Sequence, residues 1–294
     1  MTNQHFNDAD SLAPLYLGLP VWQHTTWPSQ WFGTPDARQQ GLEYYSDKLS
    51  SVEGNSPFYA LPDEATCKRW YDAVPANFKF TFKLNQQISH TDNILLQQDK
   101  LEEQLLVMRH LKEKLGLLML QLPASFSPER LPELAQFMAR WPADITLAVE
   151  LRHPAFFNKG SAEQRVNRLL KTHGVNRVMM DTRALFSGVS LSEAMTEARE
   201  KKPRLPLHVW ASAKHPVIRF VGHDDDTLNQ RCLAPWVKKC HQWREQGISP
   251  YLFLHRADNK NAPWLAHLFI TMYNTAYPEW KLPDIGVNQQ RGLF

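Results

Sequence analysis

The sequence has no long run of apolar residues, few cysteines and no targeting segment. Its longest apolar stretch, residues 115–120, is far shorter than the roughly 20 residues that span a bilayer as a helix. The N-terminal residues lack the basic region and apolar core of a secretory signal peptide. Cys67, Cys232 and Cys240 have no paired spacing, which is typical of reduced thiols rather than of a disulfide framework. These absences predict a cytoplasmic protein that does not contact a membrane.

The chain also lacks a strong excess of either charge. Its 33 Lys and Arg residues and 30 Asp and Glu residues leave a formal net charge of +3. The densest basic stretch, residues 200–204, is explained by the solvated end of a helix. Because no basic stripe is present, a nucleic-acid partner is not expected. These features leave the oligomeric state open.

Sequence signatures of metals and cofactors are missing as well. None of the twelve histidines occurs in a His-Glu-x-x-His pattern, and no Cys-x-x-Cys pair accompanies them. No Walker-type phosphate loop is present either. We therefore assign no cofactor and no metal ligand. A divalent-metal site of Glu, Asp and His drawn from several strands stays open as an alternative, because barrels assemble sites from distant segments.

What the sequence does contain is a regular alternation of short apolar strands and helical segments. Strands are predicted over residues 15–22, 51–55, 79–84, 117–122, 146–153, 176–181, 217–222 and 250–255. Helices are predicted over residues 36–49, 61–73, 98–114, 128–140, 161–173, 192–200, 228–246 and 263–273. Gly116, Gly174 and Gly247 are predicted to end three of these helices. Eight strand–helix units are the count of a closed parallel barrel.

The predicted fold class is therefore α/β, a single-domain TIM (β/α)₈ barrel. The barrel domain is placed at residues 14–276, after a flexible leader at residues 1–13 and before a C-terminal tail at residues 277–294. The alternative is an open doubly wound sheet. That fold favours a Gly-rich loop after its first strand, and no such loop is present.

Alternation within the strands predicts a ring of polar side chains at one end of the barrel. In residues 146–154, aliphatic residues alternate with small and charged ones up to Glu150, so period 2 places the two sets on opposite faces. On the sixth strand this pattern assigns Val178 and Met180 to the outward face. The predicted inward set is Gly18, Glu53, Lys83, Gln121, Glu150, Asp181, Arg219 and His255. All lie near the carboxyl ends of their strands, where TIM-barrel enzymes place their active sites.

The chemistry of this ring indicates acid–base catalysis on an anion. Closely spaced carboxylates separate their pKa values into those of an acid and a base, which predicts Glu53 and Glu150 as the acid–base pair. Lys83 is a candidate for proton transfer or for a Schiff base if it is desolvated. The predicted catalytic residues are Glu53, Lys83, Glu150 and Asp181. The alternative is a charge network that only stabilises the barrel.

Residues that flank the strand ends extend the predicted site. Arg152 and Arg219 are expected to clamp a carboxylate or phosphate. Trp22 and Tyr59 are candidates to wall a pocket and stack on a ring, although packing in the core explains them equally simply. The predicted ligand-binding set is Trp22, Asn55, Tyr59, His90, Gln121, Arg152, His153, Arg219 and His255.

As a set, the strand-end motifs resemble the YecE-like family, also called domain of unknown function 72. The resemblance covers about residues 15–275. It rests on the segments 52–62 (VEGNSPFYALP), 88–91 (ISHT), 121–123 (QLP) and 148–153 (AVELRH), together with Lys83 and Asp181. It implies a TIM-barrel fold and brings no settled activity.

The sequence departs from the common family pattern at the predicted mouth. The usual Gly-Thr-Ser-Gly-Trp opening is replaced by residues 18–22 (GLPVW), and the Arg-Leu-His-Gly pattern reads RFVGH at residues 219–223. These departures indicate a subfamily with an altered ligand. The sequence thus predicts a TIM-barrel enzyme, an isomerase, lyase or hydrolase, that acts on a small anionic metabolite. A metal-dependent barrel and a non-catalytic metabolite-binding or regulatory protein remain as alternatives.

Overall fold

The computed structural model describes residues 12–32 and 40–286, and it contains a closed barrel of eight parallel strands. The strands are β1 Tyr16–Leu19, β2 Ser51–Gly54, β3 Lys79–Lys83, β4 Leu115–Gln121, β5 Leu147–Glu150, β6 Asn176–Asp181, β7 Val217–Val221 and β8 Tyr251–His255. They pair in chain order, and β8 closes the barrel on β1 with Tyr251 opposite Tyr16. The predicted TIM-barrel fold is confirmed, and the open doubly wound sheet is wrong.

Helices in the connections surround the barrel. They are α1 Ser29–Phe32, α2 Gly41–Ser46, α3 Ser56–Tyr59, α4 Glu64–Asp72, α5 Gln86–Ser89, α6 Gln98–Met108, α7 Leu131–Ala139, α8 Ser161–Thr172, α9 Glu193–Lys201, α10 Asp226–Glu245 and α11 Ala262–Ala276. Short 3₁₀ helices cover Ile94–Gln97, Arg109–Lys114, Pro128–Arg130 and Pro154–Phe157. The predicted helices agree with these bounds within a few residues, apart from residues 33–39, which lie outside the described residues.

Two of the three glycines predicted to end helices do so. Gly174 and Gly247 follow α8 and α10 with φ of 63° and 71°, a left-handed conformation that glycine adopts without steric cost. Gly116 is different, because it lies inside β4. Its predicted role is wrong, since the helical segment ends at Lys114 and the chain enters β4 at once.

The barrel wall separates an outer apolar core from an inner one. Outward-facing strand residues pack under the helices in one large cluster. The interior holds a separate cluster of Leu117, Met119, Ala148, Val178, Val217, Tyr251 and Phe253. This apolar interior fills the amino-terminal part of the barrel and leaves its carboxyl end to the polar ring.

The contact between β1 and β2 requires a glycine at position 18. The two strands approach so closely there that a Cβ atom on Gly18 would lie 2.3 Å from the Ser51 carbonyl oxygen.

Strand β6 turns its side chains in the phase opposite to the predicted one. Asn176 lies opposite the inward-facing Ala148, and Val178 packs in the barrel interior. Met179 belongs to the outer core. Because side chains alternate along a strand, Met180 shares the inward face with Val178. The prediction that Val178 and Met180 face outward is therefore wrong.

The ends of the chain are described only in part. Residues 1–11 of the predicted leader lie outside the described residues, as do residues 287–294 of the predicted tail. Within the described ranges, no helix has the length and apolar character needed to cross a membrane. Cys67, Cys232 and Cys240 are free thiols. The cytoplasmic location stays a prediction.

Candidate functional site

Arg219 on β7 stands at the centre of a buried charge network at the barrel mouth. Its guanidinium donates two hydrogen bonds to Glu53, from Nε to Oε2 at 2.7 Å and from Nη2 to Oε1 at 2.8 Å. Nη1 donates to Glu150 Oε2 at 2.6 Å. None of the three residues is more than 2% exposed. A planar guanidinium holds carboxylates in a fixed geometry, so Arg219 ties β2, β5 and β7 together.

Both carboxylates of this network are held ionised. Burial alone would raise their pKa values, but the neighbouring cations together outweigh burial, and the strongest of them is Arg219. Together with Arg152 it lowers the pKa of Glu150 to about 2, and the pKa of Glu53 lies well below its ordinary value. A general acid must carry a proton near the working pH. The two residues predicted as an acid–base pair are therefore better suited to act as permanent anions.

Two lysines face the same network, and their side-chain amines make no hydrogen bond to any described residue. Lys83 on β3 is 8% exposed, and its Nζ lies 3.6 Å from Glu53 Oε1 and 5.7 Å from the centre of the Phe58 ring. Lys202 lies at the end of α9 in the connection from β6 to β7. Burial, and then the positive charge of Arg219, lower the pKa of both lysines to about 8. Each amine is therefore partly deprotonated near neutral pH.

Lys202 is a site residue that the sequence did not reveal. The stretch 200–204 was predicted to be a solvated helix end, and α9 does end there with Lys202 N donating to Ala198 O at 2.9 Å. However, Thr182 Oγ1 donates to Pro203 O at 3.2 Å and fixes the following segment to the end of β6. The one sequence feature that marks this position is Pro203, because the residue that precedes a proline is disfavoured in a helix. Strand alternation gave no information on where this long connection lies.

Two further predicted residues join the network, and a third lies beside it. Arg152 Nε donates to Glu150 Oε1 at 2.7 Å. His255 Nε2 lies 3.1 Å from Glu53 Oε2, and burial lowers the pKa of His255 to about 4, so its neutral imidazole donates this hydrogen bond near neutral pH. Gln121 lies opposite Glu150 across β4 and β5. It is 6% exposed, and its Oε1 has no hydrogen-bond partner among the described residues.

Some predicted loop residues form an aromatic rim beside Lys83. The His90 and Phe58 rings meet edge to face with 5.4 Å between centres. Burial, and then Arg152 and Lys83, lower the pKa of His90, which reflects its position near the mouth. The Tyr59 ring packs 5.1 Å from that of Phe58, but Tyr59 is 68% exposed. The rim thus offers apolar ring edges next to the cationic groups.

Asn55, Trp22 and His153 have structural contacts. The Asn55 side-chain amide donates to the carbonyl oxygens of Pro20 at 3.0 Å and Glu53 at 3.2 Å, which fixes the turn after β2. The Trp22 ring lies edge-on to Trp70 with 5.5 Å between centres. His153 Nδ1 accepts a hydrogen bond from Ala155 N at 3.2 Å and caps a 3₁₀ helix. None of these contacts involves the charged side chains of the network.

Asp181 does not belong to the ring. Trp236 on α10 donates from Nε1 to Asp181 Oδ2 at 2.7 Å, and Arg183 pairs with the same carboxylate at 2.8 Å. The outward phase of β6 turns Asp181 toward the helices, because Val178 and Met180 occupy the inward face. The prediction that Asp181 lies in the inward ring is wrong, and its contacts indicate a link between β6 and α10.

Positive charge exceeds negative charge at the mouth. The four cationic side chains Arg152, Arg219, Lys83 and Lys202 face the two carboxylates of Glu53 and Glu150. With both lysines protonated, two positive charges lack a counter-charge within the network. Buried charge without a partner is costly, so this arrangement favours an anion. In the described ranges, no group of three or more His, Cys, Asp and Glu side chains is arranged to hold a metal ion.

The loops after β7 and β8, where many TIM barrels bind phosphate, are less suited to an anion. Arg256 follows β8, but it donates to the His223 carbonyl oxygen and to Asp226 Oδ1 at 2.5 Å. Asp225 and Asp226 occupy the start of α10, where their charges complement the positive end of the helix dipole. The cationic ring is therefore the better candidate for an anion site.

Comparison with known proteins identifies the family. Residues 16–289 match the family described as Protein of unknown function DUF72. The chain belongs to the DUF72 family. It is 39% identical over 285 residues to the UPF0759 protein YecE of Escherichia coli strain K12, a match that covers 95% of this chain and 100% of YecE. YecE of Escherichia coli O157:H7 matches with the same identity and coverage. The resemblance inferred from the strand-end motifs is confirmed.

Solved structures of DUF72 proteins share the fold. A family member from Enterococcus faecalis V583 superposes with a TM-score of 0.69 at 17% identity, covering 94% of this chain and 99% of that one. Another from Thermotoga maritima MSB8 gives a TM-score of 0.65 at 18% identity, covering 88% and 98%. At these identities the likeness concerns the DUF72 fold alone.

Proposed function

We propose that the barrel mouth is an active site that binds a small anionic metabolite and moves a proton through Lys83. The observation that carries this function is the pair of desolvated lysines, whose side-chain amines make no hydrogen bond to a described residue, beside a rigid Arg219 frame with excess positive charge. Arg152 and Lys202 are the proposed anion-binding groups. Glu53 and Glu150 stay ionised and hold Arg219 in place.

The proposed chemistry is proton transfer by an amine. A base works best when its pKa lies near the working pH, and the pKa of Lys83 is lowered to about 8 by burial and by Arg219. A bound anion would stabilise the ammonium that forms when Lys83 takes up a proton, since opposite charges stabilise each other at short range. Removal of a proton next to a carboxylate is the step that this arrangement supports best. An isomerase or a lyase is therefore the favoured reaction class.

A thermal-shift experiment with phosphate and oxalate tests the anion site. A ligand at about 100 times its dissociation constant adds roughly 2.7 kcal/mol of stability, which for a chain of this size corresponds to a shift on the order of 5 °C. We expect Lys83→Met and Lys202→Met each to lose most of this shift. Lys201→Met is the control, because the neighbouring Lys201 pairs with Glu197 on the surface. Equal shifts in the wild type and both mouth variants would contradict the proposed site.

A non-catalytic binding role is the second candidate. It is favoured by the hydrogen bonds that already occupy both carboxylates, since a fully paired frame suits binding as well as catalysis. It predicts the same thermal shifts without turnover. Exchange of carbon-bound protons of an added 2-oxo acid with deuterated water, followed by NMR, separates the two candidates. Exchange that depends on Lys83 supports the enzyme.

A further inference from the structure

We propose that the anion bound at the mouth carries a carbonyl group, and that Lys83 bonds to it covalently as a Schiff base. This inference rests on the proposed anion site and adds the substrate class: a small aldehyde or ketone with an acidic group. Three observations support it: the Lys83 amine makes no hydrogen bond to a described residue, two buried polar groups near it have no partner in the same ranges, and the surrounding charges suit an anion.

The surroundings of Lys83 differ from those of a structural buried lysine in the same chain. Lys114 is 7% exposed, and its Nζ donates to the carbonyl oxygens of Tyr71 at 2.7 Å and Val74 at 2.6 Å. Lys83 is equally buried, but its only ion pair among the described residues is the 3.6 Å contact with Glu53. Lysines that are desolvated beside another cation are activated as nucleophiles. Lys83 meets both conditions, because Arg219 shares its carboxylate partner.

Two buried polar groups near Lys83 lack partners in the described part of the chain. Thr81 Oγ1 lies on the inward face of β3 two residues before Lys83, and Gln121 Oε1 lies at the inward end of the adjacent β4. A buried polar atom without a hydrogen bond is costly. A carbinolamine hydroxyl formed at Lys83 would give such groups a donor. A ligand with only a carboxylate would offer an acceptor oxygen and leave the Gln121 carbonyl unpaired.

The proposed step balances without an oxidant or a reductant. The neutral amine of Lys83 attacks the carbonyl carbon, a C–N bond forms, and the carbonyl oxygen takes a proton from the same nitrogen. The ammonium of Lys202 supplies a second proton to the hydroxyl, which leaves as water. The product is an iminium ion, whose positive charge faces the ionised Glu53 carboxylate. The acidic group of the ligand pairs with Arg152, the anion-binding group that stays charged after Lys202 has given up its proton.

The mouth favours a small ligand. Lys83, Arg219 and Glu150 are each at least nine-tenths buried, so only a compact molecule reaches the amine. Glyoxylate, an aldehyde with one carboxylate, is the smallest probe with both required groups. Glycolate has the same carboxylate and a hydroxyl in place of the aldehyde, and it serves as the matched ligand without a carbonyl.

Reductive trapping tests the inference. The full chain is incubated with glyoxylate and sodium cyanoborohydride, and modified lysines are located by peptide mass spectrometry. We expect Lys83 to be modified at least about tenfold faster than Lys114 or any surface lysine, with a rate that rises severalfold from pH 7 to pH 9 and falls when glycolate is added. Lys83→Arg keeps the charge and should abolish this rapid phase. Lys79→Arg, at the other end of β3, should retain it.

The outcomes separate this inference from the proposed function. If glycolate raises the melting temperature through Lys202 but glyoxylate modifies Lys83 no faster than surface lysines, the anion site stands and the Schiff base falls. If neither glycolate nor oxalate acts at the mouth, both fall. Rapid modification of Lys202 instead of Lys83 would overturn the assignment, as would modification of Lys83 that glycolate does not slow.

Discussion

Replacing Arg219 with methionine is expected to lower the free energy of unfolding by about 3–5 kcal/mol, the usual effect of breaking a buried ion pair by removing one partner. The variant leaves Glu53 and Glu150 buried without the guanidinium that bonds to both. Urea unfolding of the wild type and the variant measures the difference. The loss should exceed that of most single substitutions, because two carboxylates lose their partner at once.

A surface arginine provides the control for this experiment. Arg109 pairs with Asp144 at 3.0 Å in an exposed setting, so Arg109→Met should cost less than about 1 kcal/mol. Adding Glu53→Gln to Arg219→Met should restore part of the stability, because it removes one of the two stranded charges. An Arg219→Met protein within about 1 kcal/mol of the wild type would show that the network does not hold the strands together.

Acid should weaken the wild type through Glu150. Its folded pKa, about 2, lies below the ordinary value of 4.5, so the unfolded chain binds the proton more tightly. The stabilisation is complete above pH 4.5 and is lost as the pH falls toward 2. A shift of this size corresponds to roughly 3 kcal/mol in total, of which about 2 kcal/mol is lost between pH 5 and pH 3.

The test compares unfolding free energies at pH 5 and pH 3 in the wild type and in Glu150→Gln. The variant is expected to start from a lower stability at pH 5 and to lose about 2 kcal/mol less than the wild type over this interval. Glu102→Gln removes an exposed carboxylate on α6 and should follow the wild type. An equal loss in the wild type and in Glu150→Gln would mean that Glu150 is not held ionised by Arg219 and Arg152.

The fold could be predicted from the sequence because every strand is short, apolar and followed by a helical segment. The alternation of residues within β3, β4, β5, β7 and β8 also gave the correct inward face, since each of these strands has one uniformly apolar side. Strand β6 failed because both of its faces carry polar groups. Arg177 points outward and donates to the Phe156 carbonyl oxygen. The prediction placed the inward face on the side of Asp181 because that residue is polar, and Asp181 also points outward.

The candidate site could be predicted in membership but not in the role of each residue. Glu53, Lys83, Glu150, Arg219 and His255 come together as expected, because strand ends of a parallel barrel meet at one face. The protonation state of each residue depends on its distance from charged groups that lie far away in the sequence, and strand periodicity does not predict those distances. For the same reason Lys202 was missed: a tertiary hydrogen bond from Thr182 to Pro203 fixes the segment that directly follows it.

Calorimetric titration with oxalate at pH 8, in buffers of different ionisation enthalpy, is the decisive experiment for an anion site built on Lys83 and Lys202. At a pH near its pKa, each of Lys83 and Lys202 is about half protonated, so binding an anion should draw protons from the buffer. We predict uptake of up to about one proton for each oxalate bound, and neither uptake nor tight binding in the Lys83→Met/Lys202→Met double variant. Binding without proton uptake, or with the same uptake in the double variant, would contradict an anion site built on these two lysines.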